Sequence, residues 1–320
     1  MDWVSPGGHV YRVPGGTLMM NQLKTILLLG ALSAILVGIG ASLGPNAFWL
    51  FTAIAVAMNL VSYFFSDRIV LRMHGARELP EGEAPRLHAV VAELAGRAGI
   101  PKPRVFFIDD PHANAFATGR NPKHAVVAVT RGIVEILDER ELRGVLAHEI
   151  AHVANRDILV ASVAAGLATA ISHLGNALMF AGMFGGGSQD DEEGGSPAGG
   201  LALALLAPIG ATLVQLGISR SREYLADETG ARLSGDPLAL AGALDKLHQA
   251  ASHVPSAATP ATASLFIVNP FGAVAGGLAR LFSTHPPAEE RIRRLRALAH
   301  TVRGPAFDPA GSAPRSRLVR

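Results

Sequence analysis

Two kinds of apolar pattern alternate along this chain. The first is the long uncharged run: Thr25 to Leu43, Ala47 to Ser66, Ile158 to Phe184 and Leu201 to Ile218. The first two are each close to the roughly 20 residues a helix needs to cross a bilayer. Lys24 ahead of the first run also fits a cleaved signal peptide, but the run is long for a signal core and a second follows at once. Residues 25–66 are therefore predicted to be a transmembrane hairpin. Residues 158–218 are predicted to be a second one, with buried helices of a soluble core as the competing reading. Its connection, 185–200, is Gly-rich and carries Asp190, Asp191, Glu192 and Glu193.

The second pattern is amphipathic and occupies 67–157 and 219–300. Leu87, Val90, Val91 and Leu94 recur at helical spacing between Ala84 and Ala98, ahead of Gly99. Arg104 to Ile108 and His124 to Thr130 are short β-branched or aromatic runs that predict strands, joined by the turn-rich Asp109 to Pro122. Asp138 with Glu141 predicts a capping box opening a helix that buries Leu142, Val145, Leu146, Ile150 and Val153. Asp236-Pro237 predicts another helix start, running to about Gln249. The expected fold is mainly α: four transmembrane helices plus a cytoplasmic α+β domain with a small sheet. Residues 1–24 read as a lead-in and 301–320 as a tail.

Composition sharpens this reading. Of the 320 residues, 49% are hydrophobic and only 17% charged, and the mean hydropathy is +0.30, which is greasy for a soluble domain. The formal net charge of +2 is spread beside apolar runs, so nucleic acid is a poor partner and a lipid bilayer a good one. Arg68, Arg72, Arg77, Arg156, Arg220 and Arg222 flank the runs on one side, and the two opposite loops hold no Lys or Arg. Positive residues collect on the cytoplasmic side, so both termini and the amphipathic regions should face the cytoplasm. With no cysteine, any metal must be held by His and carboxylate.

The helix opened at Asp138 carries His148-Glu149-Ile150-Ala151-His152. Histidines four apart stand one above the other, so two imidazoles can reach one ion from one face. Glu149 is turned about 100° away, outside the coordination set yet able to touch water on the metal. A third ligand is expected in Glu223, four residues before Asp227, which would orient a ligating imidazole by accepting its N–H. Two His and one carboxylate leave a tetrahedral place open, the mark of catalytic zinc, one ion per chain. The implied reaction is peptide hydrolysis, with Glu149 as general base for a water attacking the scissile carbonyl. If the helices run on unbroken, Ile158 and Ile218 lie about 9 and 7.5 Å from the ligands, and substrates would be membrane proteins or peptides presented at the membrane surface.

Several signatures in order resemble the HtpX-type membrane zinc metallopeptidases, more distantly related to the CAAX prenyl endopeptidases. They are Met20 to Lys24, Asn114 to Gly119, the His148 motif, Ser219 to Asp227, Leu265 to Pro270 and Ser283 to Pro287. The resemblance implies a zincin-like fold, zinc on His148, His152 and Glu223 with catalytic Glu149, and quality control of proteins in the bacterial cytoplasmic membrane. It also sets Asn114, Ala115, Phe116 and Ala117 at the cleft, where an edge strand would bind extended substrate by strand addition. His285, in Thr284-His285-Pro286-Pro287, is the candidate donor to the oxyanion. A membrane scaffold or receptor with a degenerate or structural metal site and a prenyl-peptide protease are the competing functions; Leu265 to Phe282 is expected to be a covering loop or a membrane-dipping segment.

Overall fold

The computed structural model describes residues 44–164, 220–253, 266–268 and 286–302, with most of 23–41. Helix α1 (Pro45–Met73) carries the second apolar run and continues seven residues beyond Ser66. Among the described residues it is the one helix long and apolar enough to cross a membrane, with a mean hydropathy of 1.8 in its best window. Trp49, Leu50, Val56, Leu60, Phe64 and Phe65 are exposed around it, as a lipid-facing helix requires and a soluble surface does not. Thr25–Gly38 forms a shorter apolar helix. The Asn59 amide donates to Ser33 Oγ at 2.7 Å between the two. The third run is helical over 158–164, and its Val160, Val163 and Ala164 pack with Leu36 and Ala55. The rest of that run, the acidic loop and the fourth run lie outside the described residues.

Past α1 the chain forms β1 (Arg77–Glu78), α2 (Pro85–Ala98), β2 (Arg104–Ile108), β3 (Ala115–Thr118), β4 (Val126–Thr130), α3 (Arg131–Ile136) and α4 (Glu139–Ala154). After the second predicted hairpin come α5 (Arg220–Ser234), α6 (Pro237–His253) and α7 (Ala288–Leu298). Helix α2 stops as expected at Gly99, whose φ of 67° is the left-handed cap conformation. Both bonds of the capping box at Asp138 and Glu141 form.

The sheet has the order β1-β2-β4-β3, with β2 and β4 parallel and β3 antiparallel on the outer side of β4. The turn-rich segment Asp109 to Pro122 therefore contains a strand, as the edge-strand expectation at Asn114 required. The predicted strand at His124 starts two residues late. Asn121 accepts from the Lys123 N–H, and Pro122–His124 becomes a 3-10 turn. All five residues of β4 are buried because both sheet faces are covered. Val105, Ala115, Ala117, Val127 and Val129 pack on the helices. On the other face, Phe106, Ile108, Phe116, Val126 and Ala128 pack against Val70 and Leu71 at the end of α1. Thus α1 is long and apolar enough to cross a membrane over most of its length, and its last turns are a lid on the sheet.

Candidate metal centre

The two central helices, α4 and α5, cross where the site forms. Gly230 of α5 permits the approach, since a Cβ there would lie 2.8 Å from both N and Cα of His148. No side-chain rotation relieves a clash with backbone. Gly230→Ala is expected to push α5 off α4, at a cost of about 1–3 kcal/mol for overpacking, which exceeds the roughly 0.5–1 kcal/mol that alanine contributes to a helix. A lower midpoint of thermal unfolding together with weaker metal binding is the expected result; an unchanged metal titration would show that the close contact does not set the site.

At this crossing one ligand atom each from His148, His152 and Glu223 lies within 4.8 Å of the others. The Nε2 atoms of the two histidines are 3.1 Å apart, and each is 3.7 Å from a Glu223 carboxylate oxygen. The Nδ1 atoms face carboxylates: His148 Nδ1 is 3.0 Å from Asp227 Oδ1, and His152 Nδ1 is 3.0 Å from Asp157 Oδ2. With a carboxylate oxygen 3.0 Å from each Nδ1, the tautomer protonated there is favoured, and each Nε2 then presents a lone pair to the same point. Two lone pairs at that separation repel unless a cation lies between them, so the donor set fits a divalent ion.

Electrostatics agree. Burial opposes charge on His152, but Asp157, Glu223 and Glu149 outweigh it and push its pKa up to about 10; the pocket draws positive charge. Burial lowers the pKa of His148, keeping its imidazole neutral as a ligand must be. Glu149 is raised to about 7, mainly by burial and with a further contribution from Glu223. Its Oε2 accepts the Ala117 N–H at 2.8 Å, so edge strand β3 fixes this carboxylate beside the ligands.

Asp227, expected to orient a ligating imidazole, lies against His148 Nδ1. Asp157, its counterpart at His152, was not anticipated from the motif. The expected straight run from His152 into the third apolar segment fails there: α4 ends at Ala154, and Arg156 has φ 57°. That break turns Asp157 back onto His152, so the 9 Å offset does not apply. The second unanticipated residue is Arg291 of α7, 1% exposed. Its Nε and Nη2 donate to the two Asp227 oxygens at 2.8 and 2.7 Å, and its Nη1 donates to the Ile267 carbonyl at 2.7 Å. Burial works against the Asp227 carboxylate, yet Arg291 and His148 hold its pKa below the ordinary value.

Asn114, expected at the cleft, is a bracket. Its backbone carbonyl accepts from the Thr130 N–H and its side-chain oxygen from the Ile267 N–H at 3.2 Å. Ala115, Phe116 and Ala117 form β3 as expected and are buried. His285 lies outside the described residues.

Among solved structures, that of S. mikatae Ste24p aligns with a TM-score of 0.48 and 23% identity, over 88% of this chain and 66% of that one. A "Protease HtpX homolog" of Ralstonia pickettii (strain 12J) is 52% identical over 294 residues, covering 90% of this chain and 100% of the relative. A namesake from Burkholderia mallei (strain SAVP1) is 50% identical over 289 residues, with 89% and 99% covered. The family model for "Peptidase family M48" matches residues 81–299, a span that contains every ligand and orienting residue described above, and the chain is therefore a member of that family and a metallopeptidase.

Proposed function

We propose that the chain is a zinc endopeptidase of the bacterial cytoplasmic membrane that cuts damaged membrane proteins at the cytoplasmic surface, as part of protein quality control. The convergence of His148, His152 and Glu223 on one point, with Glu149 beside it, carries this reading. Borderline nitrogen and oxygen donors in a three-residue set favour zinc with one place left for solvent. Zinc so held supplies a Lewis acid and acidifies water to a pKa of about 7.

The chain's own residues supply the rest. Glu149, with a pKa raised to about 7, takes a proton from the attacking water and returns it to the leaving amine; a value near the working pH serves both transfers. Asp227 and Asp157 hold the two imidazoles in the tautomer that turns Nε2 inward. Along β3, the Ala117 N–H is already given to Glu149. An extended substrate adding to that edge would bond first to Ala115, through backbone groups that accept many sequences.

Membrane placement is supported by the exposed apolar girth of α1 and by its packing with the first and third runs. The arginines at the C-terminal end of α1 and just after it favour a cytoplasmic site. Purified protein stripped with a chelator is expected to lose cleavage of a membrane substrate and of casein, and to regain both with one equivalent of zinc. Cleavage that persists without metal would defeat the reading. So would zinc uptake without any cleavage, which is the behaviour of a scaffold.

A further inference from the structure

We propose that the β3–β4 turn rests on the bilayer and, with the end of α1, binds the phosphates of anionic lipid headgroups; this rests on the membrane reading above. The position of the turn comes from an aromatic contact. Tyr63, Phe64 and Phe65, all exposed, end the apolar part of α1, and an exposed tyrosine between an apolar run and the charged residues after it marks the interface of a spanning helix. The Arg120 guanidinium, from the turn, lies 5.7 Å from the Phe64 ring centre. Arg68 lies 5.4 Å from that of Phe65. Phe64, Arg68 and Arg72 are four apart and exposed, so they share one face of α1. The turn thus stands level with the last apolar helical turn and beside its arginines.

Charge points to the occupant. Elsewhere in the same domain Arg77, Lys102, Arg104 and Arg131 each sit against a carboxylate. Among the described residues, Arg68, Arg72, Arg120 and Lys123 have no carboxylate within 4.0 Å, and three of the four are exposed. Cations without a carboxylate partner, gathered at the interface, match a surface of phosphodiester headgroups, where each one strengthens binding about five-fold.

The turn is stiff enough to transmit that grip. Gly119 has φ 136° with the His124 carbonyl where a Cβ would stand, and Asn121 accepts from the Lys123 N–H. One residue before Gly119, Thr118 Oγ1 lies 2.8 Å from Ser162 Oγ; the residue before that is Ala117, whose N–H holds Glu149. Headgroups gripping the turn therefore bear on the strand that positions the base.

The test takes full-length protein in micelles doped equally with phosphatidylglycerol and phosphatidylcholine, and counts the lipids retained after gel filtration. Wild type is expected to retain phosphatidylglycerol in excess, and to lose the excess in 1 M salt. The double variant Arg120→Gln, Lys123→Gln is expected to reduce that excess about five- to 25-fold, with cleavage of a soluble peptide in phosphatidylcholine vesicles unchanged. No preference in wild type, or the same preference in a variant that still cleaves, overturns the proposal. Alkaline carbonate extraction separates the two levels: a chain washed off vesicles sinks the membrane reading, whereas one that stays and ignores headgroup charge sinks only this inference.

Discussion

Glu149→Gln is expected to lower peptide cleavage by about 10²- to 10⁴-fold, the usual contribution of a positioned general base, while the metal stays bound. Glutamine keeps the shape and can still accept the Ala117 N–H that Glu149 Oε2 accepts now. What it cannot do is take a proton. The side chain is 5% exposed, so removing a carboxylate whose pKa burial has raised to about 7 also removes a cost of burying charge. The variant should then be as stable as wild type or more so. Steady-state cleavage, zinc content and thermal unfolding check the three parts. Cleavage within ten-fold of wild type would mean that another group carries the proton.

Replacing Arg291 is expected to have the largest effect on stability. Arg291→Met leaves the Asp227 carboxylate buried without its cation, and breaking such a pair costs about 3–5 kcal/mol. It also frees the Ile267 carbonyl, so the 266–268 segment loses its tie to α7. Lysine is a poor substitute, since its single ammonium cannot reproduce the two-point contact with Asp227.

The pH dependence should change sign. In wild type the Asp227 pKa lies below its unfolded value, so the unfolded chain binds more protons and stability rises with pH through the carboxylate range. Without Arg291 the dominant influence left is burial, which raises that pKa; the folded state then binds more protons and this contribution falls as pH rises. Thermal unfolding of both proteins between about pH 4 and 7 reads the slopes. Parallel slopes would show that Arg291 does not govern the protonation of Asp227. Metal competition against a chelator should also weaken, because His148 loses its fixed partner.

Features readable from the chain share one property: they are set within a few residues. The capping box at Asp138, the stop at Gly99 and the helix start at Pro237 are local contacts, and all three formed where the residues stand. His148 and His152 on one helical turn follow from the helix period alone, and Glu223 with Asp227 repeats that spacing on a second helix. The apolar run of α1 was equally plain, though not its extension to Met73, where Val70 and Leu71 find cover under the sheet instead of in lipid.

What the tertiary structure decided was pairing over distance. Arg291 stands 64 positions from Asp227, in a run of arginines whose neighbours Arg293 and Arg294 pair with Glu290 at the surface. Nothing local separates the buried member from the exposed ones. Asp157 carries no mark of its role in the sequence; the turn at Arg156 brings it back to His152, and Gly230 is one of 35 glycines until α5 crosses α4 at His148. Short-range spacing fixes which donors can share a helical face. Only the packing of separate elements fixes which carboxylate, cation or gap each donor meets, because those partners come from segments whose approach no local pattern encodes.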